Sequence, residues 1–182
     1  MDYFEEIACK ILEEKGYWIR RSFKVELTKT EKRNIGKRSI PRPEIDILAY
    51  DQKSNMVIVV EAKSYFDSPG VRYEDLIQKH MIPQGRYKLF TSNRYRRIVF
   101  RRLNRQLIDI GMINSDTVIT LGLIAGNVYK RESEKIKIYF LKKKPKWYFW
   151  GPDEVRGCVK QFSEMGYENN PAVITAKILL SS

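Results

Sequence analysis

The stretch PEIDILAYDQKSNMVIVVEAKS, Pro43 to Ser64, decides how this chain is read. Its two runs, Pro43 to Asp51 and Met56 to Ser64, are rich in the branched and aromatic residues that favour strands. Between them Gln52, Lys53, Ser54 and Asn55 are polar and turn-like, so the spacing predicts a hairpin. Side chains alternate across a strand, which puts Glu61 and Lys63 on one face and Ala62 on the other. Folding the hairpin brings Asp46 beside Glu61 and Lys63. Met56 to Val60 is apolar on both faces, the pattern of a central strand covered on both sides. Charges at the end of such a strand carry a desolvation cost and usually need partners or a metal.

Two carboxylates and an ammonium at one spot are the parts of a metal-dependent phosphodiester-cleaving site. Hard divalent ions such as Mg²⁺ take one or two carboxylates together with water and phosphate oxygens. A metal there polarises the phosphoryl group, generates hydroxide and neutralises the leaving oxygen. Lys63 is placed to orient or deprotonate the attacking water or to hold a phosphate oxygen, and partial burial is expected to lower its pKa. A surface hairpin with an ordinary Glu/Lys pair is the bland alternative.

Outward from this hairpin, the chain reads as alternating helices and strands. Tyr3 to Lys15 has its apolar stripe at Phe4, Ile7, Ala8, Ile11 and Leu12, and Gly16 ends it. At about 100° per residue, Glu5 falls on the edge of that stripe, able to face the sheet, and Glu6 points away. Both acids also suit the positive end of a helix. Tyr17 to Thr28 is expected to be a strand, and Lys29 to Pro43 a loop rich in Lys37, Arg38, Arg42 and further cations. Ser68-Pro69-Gly70 reads as a turn and Val71 to Met81 as a short helix. Thr91 to Ile110 is the clearest long helix, with Thr91, Ser92 or Asn93 as N-cap. Thr117 to Ala125 is a buried-type strand. Lys135 to Lys143 alternates like a further strand, Pro152 to Met165 reads as a helix with Pro at its first position, and Asn170-Pro171 opens a last one.

The chain has 182 residues, enough for one domain with a real core, and its 34 Lys and Arg against 22 Asp and Glu give a net charge of +12. That balance suits a polyanionic partner such as DNA. On the long helix, Arg94, Arg97, Arg101 and Arg105 share the face opposite the apolar one, and no acid occurs from Arg94 to Gln106. This row is the candidate phosphate track, with the Lys37, Arg38 and Arg42 loop as a second one; a merely solvated surface is the alternative for each. Lysines before Trp147-Tyr148-Phe149-Trp150 allow stacking on unpaired bases, although core packing is the favoured reading of those aromatics. Cys9 and Cys158 are expected to be reduced core residues, and the single His80 structural or phosphate-contacting. Neither a secretion signal nor a membrane span is legible, so a cytoplasmic protein with no membrane association is expected. The absence of a GxxxxGK[ST] loop argues against a phosphate-transferring NTPase.

The segments FEEIACKILEEKGYWI, EIDILAYD and VVEAKSY together resemble the PD-(D/E)XK nuclease superfamily, which includes restriction endonucleases, Mrr-like enzymes and archaeal Holliday-junction resolvases. The likeness covers about the first two-thirds of the chain. It implies an α/β fold: a restriction endonuclease-like core, a mixed β-sheet flanked by helices in the order α-β-β-β-α-β, over residues 1–125. A C-terminal β/α elaboration then occupies 126–182. It also implies that Asp46 and Glu61 bind Mg²⁺, with Mn²⁺ a possible substitute, that Glu5 assists as catalytic and metal residue, and that Lys63 is the catalytic lysine. The first motif departs from the family in having Pro43 three residues before Asp46, and Glu44, on the same strand face, is an understudy for it. The implied activity is Mg²⁺-dependent DNA endonuclease cleavage in restriction, repair or junction resolution, with a homodimer plausible and no small-molecule cofactor. The rivals are a noncatalytic nucleic-acid-binding protein on the same fold and an RNA-processing nuclease.

Overall fold

The computed structural model describes residues 3–180. Residues 1, 2, 181 and 182, which open the expected core and close the expected elaboration, lie outside the described residues. Five strands form one mixed sheet in the order β1 (Trp18–Lys24), β2 (Glu44–Asp51), β3 (Met56–Lys63), β4 (Val118–Ala125) and β5 (Tyr148–Trp150). The first two junctions are antiparallel and the last two parallel. Parallel neighbours need a crossover. Between β3 and β4 it consists of α3 (Tyr73–Ile77), α4 (Lys88–Thr91) and α5 (Asn93–Asp109).

Both faces of the sheet are covered, which is why β3 and β4 read as continuous apolar runs rather than alternating ones. Val57, Val59, Leu121 and Leu123 pack with Val99, Leu103 and Leu107 of α5. On the other face Ile58, Val60, Ala62 and Ile124 meet α1 (Tyr3–Glu14) through Phe4, Ala8, Ile11 and Leu12. The same face receives α7 (Pro152–Glu164) and α8 (Pro171–Leu180) through Phe162, Ala172 and Val173. The segment after residue 125 therefore supplies both a strand of the sheet and part of a covering layer. Lys10 of α1, nearly buried, is held to it by an ion pair of 2.5 Å with Glu168. No helix among the described residues is long and apolar enough to cross a membrane.

Several expectations change. Lys29 to Pro43 is not all loop, because α2 (Lys29–Ile35) forms within it. Thr28 accepts the Glu31 N–H and the Glu31 carboxylate accepts the Thr28 N–H, a reciprocal cap that the Thr-x-x-Glu spacing already carries. Gly36 then closes the helix in the left-handed region, at φ 83°. Lys135 to Lys143 does not form a strand; α6 (Ser133–Leu141) takes its place. Ile136 and Phe140, four residues apart, are buried, whereas Ile138 between them is half exposed, so the helical period wins over the alternation. The additional strand is β5, inside the aromatic run. There Trp147 and Trp150 are buried, and Trp147 packs edge-on against Phe90 and Phe140, as the core-packing reading expects. Finally, the strand expected from Tyr17 to Thr28 ends at Lys24, and the helix expected from Val71 to Met81 contracts to α3.

Two positions give direct tests of this packing. A Cβ on Gly122 of β4 would lie 2.8 Å from Ile58 Cγ2 and 2.9 Å from Trp150 Cζ3. Gly122→Ala is therefore expected to destabilise the fold by about 1–3 kcal/mol, read as a lower urea midpoint at constant slope. Glu31 also accepts from the Arg102 guanidinium at 2.9 Å, tying α2 to α5. Burial pushes the Glu31 carboxyl up, but the hydrogen bonds from Arg102 and Thr28 outweigh it and hold the group below its ordinary value of 4.5. A depressed carboxylate stabilises the fold fully above that ordinary value and loses its contribution as pH falls through the lower, folded one. Glu31→Gln is expected to cost roughly 2 kcal/mol at neutral pH and to flatten the acid limb of stability against pH. Equal loss for wild type and variant below pH 4.5 would contradict this.

Candidate active site

The β2–β3 turn is held by Asp51, whose carboxylate accepts from the Lys53 N–H at 3.0 Å and the Ser54 hydroxyl at 2.7 Å. This fixes the antiparallel register that ends at Ile47 opposite Val60. Just beyond that pair, the Asp46 side chain, not a β2 carbonyl, accepts the Ala62 N–H, with Oδ2 at 3.0 Å. The substitution anchors Asp46 to β3. Lys63 Nζ then lies 2.7 Å from Glu61 Oε1 and 3.8 Å from Asp46 Oδ2. The three side chains are each about one-fifth exposed, sheltered yet open to solvent. Asp46, Glu61 and Lys63 thus meet as the sequence predicts.

Their electrostatics favour a cation. Burial is the largest influence on Glu61 and pushes its carboxyl above the ordinary value; the Asp46 charge adds to this, while Lys63 and Lys88 oppose it. Burial alone would lower the Lys63 pKa. The nearby Glu61 and Asp46 charges outweigh that effect and raise it, so Lys63 stays an ammonium. The expectation of a lowered lysine pKa is therefore corrected: beside Glu61 and Asp46 it is raised instead.

Glu5 is half-buried in the first turn of α1. Helix α1 covers the face of Ile58, Val60 and Ala62, whereas Glu61 and Lys63 have the opposite strand parity. Among the described residues no group of three or more His, Cys, Asp and Glu side chains could hold a metal ion, so Glu5 does not join Asp46 and Glu61 in such a group. Neighbouring Glu6 is engaged by Arg21 at 2.7 Å. Glu44, the understudy for Asp46, is exposed at the start of β2.

Several neighbours of the site carried no sequence signal. The segment Arg86-Tyr87-Lys88 lies between recognisable elements and has no period, yet the tertiary structure turns it toward β3. Half-buried Lys88 adds positive potential at Glu61. Tyr65, two residues past Lys63 and in the left-handed region at φ 51°, accepts from Arg86 Nη1 at 3.3 Å. Burial, then the Tyr65 hydroxyl, pushes the Tyr87 phenol far above its ordinary value. Tyr95 is pushed up to about 12 by burial and the Glu61 charge.

On α5, Arg94, Arg97, Arg101 and Arg105 are exposed, and none has an ion pair or hydrogen bond among the described residues. Arg102 is committed to Glu31. Arg96, which the helical period puts on the apolar side, turns back to cap α4: Nη1 donates to the Leu89 carbonyl at 2.7 Å, and the group lies 5.0 Å from the Trp147 ring. In the basic segment Arg38 is exposed, Lys37 is half-buried, and Arg42 pairs with exposed Glu26 at 2.6 Å. His80 bonds Gln78 and Gln84, a surface network. Cys9 and Cys158 are both free, and burial raises the Cys9 thiol to about 12, so it is inert.

The donor set suits a hard divalent ion. Asp46 and Glu61 offer anionic oxygens around a single ammonium nitrogen, and an ion of this class needs only one or two carboxylates when water and phosphate complete its shell. No protein-family model, curated protein or solved structure matches this chain.

Proposed function

We propose that this protein is a divalent-metal-dependent DNA endonuclease with a restriction endonuclease-like core. The observation that carries the reading is the meeting of Asp46, Glu61 and Lys63 within 3.8 Å of the Lys63 nitrogen, where the β2–β3 ladder ends. The order α1, β1, β2, β3, α5, β4 around a mixed sheet supports it, because the resemblance implies that succession, here with α2 inserted after β1 and the short α3 and α4 before α5. The unpaired arginine row on α5 adds a surface suited to a phosphate backbone.

In this reading Asp46 and Glu61 hold Mg²⁺, or Mn²⁺ in its place. Bound there, the ion supplies Lewis-acid polarisation of the phosphoryl oxygen and a nucleophile at neutral pH. The chain does the positioning. The Ala62 N–H fixes the Asp46 carboxylate, and the Lys63 ammonium donates to the attacking water or a non-bridging phosphate oxygen, stabilising the charge that develops. Water adds to phosphorus, one ester oxygen departs as the alcohol, and no covalent enzyme intermediate is needed. Arg94, Arg97, Arg101 and Arg105 hold the flanking phosphates.

The rival reading is a noncatalytic DNA-binding protein, which the exposed arginine row on α5 would serve equally well. Incubating the chain with supercoiled plasmid, linear duplex, single-stranded and four-way-junction DNA, and with a parallel RNA, separates the two. Cleavage of DNA in Mg²⁺ but not in chelator supports the nuclease. Binding without cleavage of any substrate leaves the noncatalytic reading, and preferential RNA cleavage replaces the substrate class.

A further inference from the structure

A second group of cations encloses a space that does not include Asp46, Glu61 or Lys63 in its lining. At the N-terminal end of α5, a solvent-open cleft of about 800 Å³ is walled by Lys79, Arg94, Arg96, Arg97 and Lys143, with buried Trp147 at its base. Among the described residues no acidic side chain lines it. Arg96 is unusual among these cations, because its partners are the neutral Leu89 and Phe90 carbonyls and the Asn93 side chain. Among the described residues no carboxylate pairs with it, and burial of its charge is costly unless an anion completes it.

The aromatics here fix the cations in place. Arg96 and Lys143 lie 5.0 and 4.8 Å from the Trp147 ring, and Lys143 also stands 3.8 Å from the Tyr139 centroid. Held this way, the two groups lose little further freedom on meeting a phosphate. Arg94 and Arg97 belong both to this cleft and to the outer arginine row. A polyanion lying along the row is thereby led into the cleft. The row is a convex helix face, fit for a duplex backbone. The cleft is a concavity of small-ligand size, fit for one strand.

We propose that the cleft binds a single, unpaired DNA strand, so that the substrate is a duplex with a single-stranded branch or end that leaves the arginine row here. The branched-substrate part rests on the nuclease reading above; strand binding itself does not. The test uses the full chain carrying Asp46→Asn, which cannot cut its probe if that reading holds. Fluorescence anisotropy compares a labelled short oligo-dT with a blunt duplex of equal length. Lys79→Ala/Lys143→Ala is expected to weaken oligo-dT binding by about tenfold while changing duplex binding by less than about twofold. Arg96→Met should act in the same direction, and the lysine pair covers the event that it does not fold. Equal losses on both probes, or no loss on either, would overturn the proposal. So would displacement of oligo-dT by equimolar thymidine monophosphate, which assigns the cleft to a free nucleotide, or tighter binding of oligo-rU, which assigns it to RNA. Because the readout is binding, it can fail while plasmid nicking by the unaltered chain stands, and the reverse.

Discussion

Removing the ammonium with Lys63→Ala is expected to lower Mg²⁺-dependent DNA cleavage by about 10³-fold, with DNA affinity nearly unchanged. The alanine leaves Glu61 and Asp46 facing each other without the cation now 2.7 and 3.8 Å away, so it removes the donor to water or phosphate and retains both carboxylates. Glu61→Gln should lose a comparable factor by a different route, through weaker metal binding, and raised Mg²⁺ should partly restore it. Asp46 requires more care. Its carboxylate also satisfies the Ala62 N–H, so Asp46→Ala leaves a sheltered donor unpaired at a cost of about 1–3 kcal/mol. Asp46→Asn keeps an acceptor oxygen for that N–H and removes the charge. Thermal denaturation should therefore separate the alanine from the asparagine variant, while nicking of supercoiled plasmid should show both inactive. Full cleavage by Lys63→Ala or Asp46→Asn would remove these side chains from the chemistry.

Replacing Arg94, Arg97, Arg101 and Arg105 together by alanine should abolish most duplex binding at physiological salt, a loss of at least about 10²-fold. If all four meet phosphates, the slope of log affinity against log salt should flatten by roughly 0.9 for each phosphate that is no longer neutralised. Titrations at a series of salt concentrations measure both quantities. The fold should be little affected, because these groups are exposed and have no partner among the described residues to leave behind. Arg102→Ala is the contrasting control: it breaks the pair with Glu31 and should reduce stability more than affinity. An unchanged salt slope in the fourfold variant would move the DNA surface off α5.

Much of the site was legible because it is local. Asp46, Glu61 and Lys63 lie on strands joined by a four-residue turn, so alternation and hairpin closure suffice to bring them together. The buried strands and long helix were legible for the same reason, since apolar periodicity reports which faces are covered. Where two periods coincide the signal fails: Ile136, Ile138 and Phe140 satisfy a strand, but burial of Ile136 and Phe140 alone selects the helix.

By itself, then, the sequence determined the hairpin, its convergent charges, the arginine row and the +12 balance, all set by spacing or composition. Only the tertiary structure decided that the Lys63 pKa is raised rather than lowered, that Lys88 acts on Glu61, that no three-acid group forms among the described residues, and that Arg96 and Lys143 both lie against the Trp147 ring. The physical reason is that a charge's state and partners depend on the sum of burial and nearby fields. Those come from segments far apart in the chain, and no local period encodes them.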